Sequence, residues 1–189
     1  MESTEPMDTR LKMVEMHAFF LGRIESSIAE ENFFEASWLI YACMENRFFR
    51  VLDKYKRDCK YCVKGGKCRK GSNQLAISTK IACVERLAKA GVSSVCDSFG
   101  ADLFQDVRNW VKRRNKLMHD LLELGTYEEK FDNDFRSLAV DGQDVLDRLY
   151  KACEKFRAEF YADGYEFEFP EECMEGCSCK PRGKAVPTD

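Results

Sequence analysis

The chain has 189 residues, 44% hydrophobic and 33% charged, with 11 Gly and 4 Pro, enough for one cored domain plus a small appendage. Thirty Lys and Arg against 33 Asp and Glu give a net charge of −3, which excludes coating duplex DNA by bulk charge and requires any nucleic-acid site to be local. No apolar run approaches the ~20 residues that span a bilayer, and the acidic, polar start Met1-Glu-Ser-Thr-Glu-Pro6 lacks the chemistry of a secretory signal. A cytoplasmic chain without a membrane partner is therefore expected. Ten cysteines in such a chain read as thiolates or metal ligands rather than a disulfide scaffold.

Apolar spacing is helical almost throughout. Val14, Ala18, Leu21, Ile24 and Ile28 recur in steps of three and four and predict a first helix over about 10–30. A second, from Phe33 to about Arg57, carries Trp38, Tyr41, Phe48, Leu52 and Tyr55 on one face. A third is expected over 73–90, closed by Gly91. The fourth starts near Ala101, carries Phe104, Val107, Val111, Met118 and Leu121, and stops at Gly125. The fifth covers about 127–162 with Phe135, Leu138, Val145, Leu149, Phe156 and Phe160, and Gly142 is positioned to kink or break it. The only strand-like alternation is Tyr165-Glu-Phe-Glu-Phe169. The expected architecture is an all-α bundle of four to five helices.

Two stretches fall outside that bundle. A Gly-containing basic loop, Asp58-Cys-Lys-Tyr-Cys-Val-Lys-Gly-Gly-Lys-Cys-Arg-Lys-Gly71, interrupts a helical domain over 1–162. An acidic extension over 163–189 ends in Cys173-Met-Glu-Gly-Cys-Ser-Cys179 and a Pro/Gly/Lys segment.

Histidine occurs twice, at His17 and His119. His119 ends the run Lys112-Arg-Arg-Asn-Lys-Leu-Met-His119, in which Lys112, Arg113, Arg114 and Lys116 form the strongest cationic patch on a regular element, with Arg108 one turn earlier. Arg108, Lys112, Asn115 and His119 share one helix face in steps of four, three and four, whereas Arg114 lies about 140° from His119 on the apolar stripe. That division suits a site completed by a second surface, such as the same helix of a second subunit. The set can cleave RNA without a metal. An imidazole titrating near neutrality moves the proton of a ribose 2′-hydroxyl as it attacks the adjacent phosphate. A guanidinium such as Arg114 holds that phosphate and offsets the charge developing on its oxygens.

Arg114-Asn-Lys-Leu-Met-His119, an Arg and a His separated by four residues with a polar residue straight after the Arg, resembles the motif of the HEPN-domain ribonucleases. The resemblance covers roughly 10–162, by helix order and by placement of the motif on the fourth helix. It implies a HEPN-like bundle acting as a homodimer in which both Arg/His sets face one cleft, with no cofactor for catalysis. It also implies a toxin or antiviral-defence effector, held by an antitoxin or another regulatory protein. His119 would be the acid/base, Arg114 the phosphate clamp and Asn115 an orienting residue, with Arg108, Lys112, Arg113 and Lys116 along the RNA. Arg10 and His17, with six residues between them, meet only the loosest form of the pattern and lie outside the expected element.

Glu45 falls on the apolar face of the second helix, one turn after Tyr41. A carboxylate there needs a partner; Arg114 is one candidate, which would bring Glu45 into the catalytic set, and the other reading is a Glu reaching water at the edge of the stripe. Asp120 could orient the imidazole, although adjacent helix positions diverge.

Cys59-x2-Cys62-x5-Cys68 supplies three of the four ligands of a tetrahedral structural zinc. Cys173, Cys177 and Cys179 could return the fourth, because ten extended residues reach roughly 33 Å. The same six thiols could instead form a redox set or bridge subunits. Lys60, Lys64, Lys67, Arg69 and Lys70 could meet phosphates with Tyr61 stacking on a base, or form a solvated turn. Cys43, Cys83, Cys96 and Cys153 read as small packing residues. The rivals to an endoribonuclease are a non-catalytic helical module binding RNA or protein, and a zinc- or thiol-regulated sensor.

Overall fold

The structure, a computed structural model, describes residues 7–54, 75–89, 91–124 and 129–162. Six helices occupy them: α1 (Met7–Ala29), α2 (Phe33–Lys54), α3 (Ile77–Lys89), α4 (Ser93–Cys96), α5 (Ala101–Leu124) and α6 (Glu129–Ala162). No strand occurs among the described residues, so the all-α expectation holds. The count exceeds four to five by the single turn α4. Gly91, at φ +76°, closes α3 in the left-handed region that glycine enters without a Cβ penalty, and Val92 returns its N–H to Leu87 O at 3.2 Å. Val92 is itself extended and its carbonyl accepts from Val95 and Cys96, which starts the extra turn at once. The cysteine-rich loop and the segment from 163 onward, including Tyr165–Phe169, lie outside the described residues.

The chain forms two compact units, Met1–Cys43 with Trp110–Asp144, and Met44–Asn109 with Val145–Asp189. The first is organised by the α1–α2 turn and by α5 against α6. Glu31 takes φ 58° in that turn. Asn32 then caps α2, its Oδ1 accepting from the Glu35 N–H while its Nδ2 donates to the Glu35 carboxylate. The pattern is a variant of the capping box, with Asn as the cap. Arg23 of α1 donates twice to Glu35 at 3.0 Å, and the buried Ser27 hydroxyl donates to it as well. These bonds hold the Glu35 carboxyl below the usual carboxylate range.

The apolar stripe of α2 is rotated from the sequence expectation. Phe33, Ala36, Ile40, Met44, Phe48 and Val51 are all buried. Trp38 lies about 160° from Ile40 at 100° per residue and is 54% exposed. On α1, Ile24 is buried while Met16 and Phe19 face solvent. In the second unit Phe48, Phe99, Phe104 and Phe156 form an aromatic cluster with ring centroids 5.8–6.5 Å apart.

Gly142 does not interrupt α6, which runs through it. Its role is close packing. A Cβ there would stand 2.5 Å from Nε1 of Trp110, and that indole N–H donates to Leu138 O at 2.8 Å. The helix accepts the propensity cost of a glycine so that the buried indole of α5 can lie against its backbone. Gly142→Ala should therefore lower unfolding free energy by about 1–3 kcal/mol, as overpacking does. Urea denaturation of Gly142→Ala, Trp110→Phe and the double variant should show the pair costing less than the sum of the singles, because the smaller ring makes room for the methyl.

Candidate functional site

Packing of α5 decides which motif residues meet solvent. Leu103, Val107, Trp110 and Leu117 are buried on one arc, and at 100° per residue Arg114 falls in the middle of it. A guanidinium in that position must be desolvated or stacked. Here it is both: its Cζ lies 5.2 Å from the centroid of Trp38 and 4.6 Å from that of Tyr41, a pair of cation–π contacts from one face of α2. Burial pushes its pKa down, and as a guanidinium it stays charged at neutral pH. Its Nε is buried with no hydrogen-bond partner among the described residues.

On the opposite arc Lys112, Asn115 and His119 are exposed, as their common spacing requires. Asn115 links the two arcs. Its Oδ1 accepts from Arg114 Nη1 at 3.3 Å, and its own side chain lies one turn before His119. Among the described residues neither Lys112 nor His119 makes a side-chain hydrogen bond or ion pair.

The remaining cations assigned to the RNA path are engaged. Arg113 donates to Asp141 at 2.7 Å and to Ser137 at 3.2 Å. Lys116 pairs with Asp120, so that carboxylate turns to its i−4 lysine. Arg108, in the second unit, pairs with Glu85 of α3 and holds that carboxyl below its usual range. A cleft of about 190 Å³ between α5 and α6 is lined by Arg113, Lys116, Leu117, Asp120, Asp134 and Leu138, two cations and two carboxylates among them.

Glu45 is paired, and its partner is Lys80 of α3, 2.7 Å away, with the Lys80 side chain 3% exposed. The need for a partner was legible on α2; Lys80 was not recognised, although it interrupts the stripe Ile77, Ile81, Val84, Leu87 as Arg114 interrupts its own. Trp38 and Tyr41 were read as core, and their role beneath Arg114 was missed; their i, i+3 spacing was the available signal.

Cys59, Cys62, Cys68, Cys173, Cys177 and Cys179 lie outside the described residues, as does Tyr61 with the loop's lysines. Among the described residues no cluster of metal-ligating side chains occurs, and no helix is long and apolar enough to cross a membrane. Cys43 and Cys83 are buried, and burial pushes the thiol of Cys153 up to about 12, which leaves it without thiolate character at neutral pH. Cys96 departs from the packing expectation: it is exposed, on the turn α4. No protein-family model, no curated protein and no solved structure matches the chain.

The Glu45–Lys80 pair is asymmetric, because only Lys80 is deeply buried. Glu45→Ala strands a buried ammonium and should cost about 2–3 kcal/mol, below the 3–5 kcal/mol of a fully buried pair. Lys80→Met leaves a carboxylate that can reach water and should cost under about 1 kcal/mol. Chemical denaturation of the two variants side by side checks the order.

Proposed function

We propose that the protein is a metal-independent endoribonuclease of HEPN type, with His119 as the acid/base and Arg114 as the phosphate clamp. The observation that carries this reading is the pairing on α5 of a solvent-open His119 with a guanidinium that is held by two aromatic rings and bonded to no carboxylate among the described residues. Arg108, Arg113 and Lys116 are ion-paired with Glu85, Asp141 and Asp120. Lys112 and Arg114 are the cations of α5 in no ion pair among the described residues, and the RNA path is assigned to them together with Asn115.

In the reaction His119 accepts the proton of a ribose 2′-hydroxyl and the 2′ oxygen attacks the adjacent phosphorus. The bond to the 5′ oxygen breaks, that oxygen takes up a proton, and the products carry a 2′,3′-cyclic phosphate and a 5′-hydroxyl. Arg114 offers the terminal nitrogens of its guanidinium to the non-bridging oxygens as their charge grows, and Asn115, which accepts from Nη1, orients the guanidinium. The RNA brings its own nucleophile, so no serine or cysteine is needed. Two copies of the chain, each contributing α5, would place one His119 for each of the two proton transfers. In a cell such an activity suits a toxin or an antiviral-defence effector restrained by a regulatory partner.

His119→Ala should lower the rate of cleavage of a mixed single-stranded RNA pool by about 10²–10⁴-fold with the circular dichroism unchanged, and a chelator should leave wild-type cleavage intact. A wild-type protein that cuts no RNA, or a His119→Ala variant that cuts as fast as wild type, contradicts the reading.

A further inference from the structure

A tryptophan that is 54% exposed on a helix leaves a large apolar face in water, and Trp38 is in that position although the α2 stripe beside it is fully buried. Its neighbour one turn earlier, Phe34, is also exposed but is held edge-to-face by Phe135 at 5.4 Å. Trp38 touches the Arg114 guanidinium, which is stacked on Tyr41 as well. A flat aromatic surface therefore adjoins a fixed cation that is bonded to no carboxylate among the described residues. Single-stranded RNA supplies both missing complements in one nucleotide, a base that stacks on aromatic rings and a phosphate that accepts from arginine. A duplex offers only the phosphate, because its bases are stacked on one another.

We propose that Trp38 is the base-stacking platform of the site, binding an unpaired nucleotide of RNA whose phosphate rests on Arg114. The ligand class rests on the ribonuclease reading; the stacking role is a separate claim, that the site selects single-stranded over double-stranded RNA through one side chain of α2. Trp38 is a binding residue here, and the proton transfers stay with His119.

The chain has two tryptophans, and Trp110 is buried and hydrogen-bonded, so the solvent-exposed emission belongs to Trp38. In the full-length His119→Ala protein, titration with a fluorescein-labelled oligoadenylate 12-mer should quench that emission in step with the rise in anisotropy. Adding Trp38→Ala should weaken binding roughly tenfold, adding Trp38→Phe should restore most of it, and a duplex of the same length should bind more weakly than the single strand. Absence of binding, equal affinity with and without Trp38→Ala, or unquenched emission overturns the proposal. So does a loss of self-association in Trp38→Ala on analytical ultracentrifugation, which would assign the ring to a contact between copies. The two claims separate cleanly. Binding through Trp38 with no cleavage by the wild-type protein removes the nuclease and keeps the platform, whereas undiminished cleavage by Trp38→Ala removes the platform and keeps the nuclease.

Discussion

The buried indole of Trp110, pressed against the backbone of Gly142 and bonded to Leu138 O, fixes the rotation of α5, and the character of the whole site follows from that rotation. With Trp110 inward, an α-helix has no freedom over its neighbours. Leu117 must also point inward, Lys112, Asn115 and His119 must point outward, and Arg114 must sit among buried positions. A turn of a third of the helix would give His119 to the interior and Arg114 to water. The glycine on α6 thus sets which side chains of α5 face solvent.

Charges on apolar faces are the second organising constraint. Lys80 and Arg114 each interrupt a hydrophobic stripe, and each has to recover the interactions that burial removes. Glu45 and Lys80 neutralise one another at 2.7 Å. Arg114 is satisfied by ring faces and an amide, an arrangement that compensates the cation electrostatically while leaving donors unfilled. Its charge is therefore not cancelled by a carboxylate among the described residues.

Helix positions were legible in the sequence because 3.6-residue periodicity and terminating glycines are local signals. The expected spans 10–30, 101–125 and 127–162 lie close to α1, α5 and α6, and Gly91 closes α3 as its place in the chain suggested. Less was legible wherever the answer depends on which helix lies beside which. The stripe assigned to α2 holds at Phe48 and Leu52, which are buried, but took in Trp38 and Tyr41 in place of Ala36, Ile40 and Met44, because aromatic residues fit both a core and a surface that holds a cation. The partner of Glu45 is a lysine 35 positions away, and one sequence ranks no long-range pair. Gly142 carried the signal of a breaker, and only the neighbouring indole shows it to be a contact.

On this account α5 presents a proton-transfer group on one side and a phosphate clamp on the other, joined by Asn115, and RNA supplies the attacking oxygen. The role of that oxygen is what separates this chemistry from metal-assisted hydrolysis and from simple binding. The most direct measurement uses two synthetic RNA strands, identical except that the ribose 5′ to the preferred cut in one carries no 2′-hydroxyl, with the product ends read by mass spectrometry. The account predicts a 2′,3′-cyclic phosphate and a 5′-hydroxyl from the all-ribose strand and no cut at the deoxy position of the other. Cleavage of both strands at that position, or products bearing a 5′-phosphate, would contradict it.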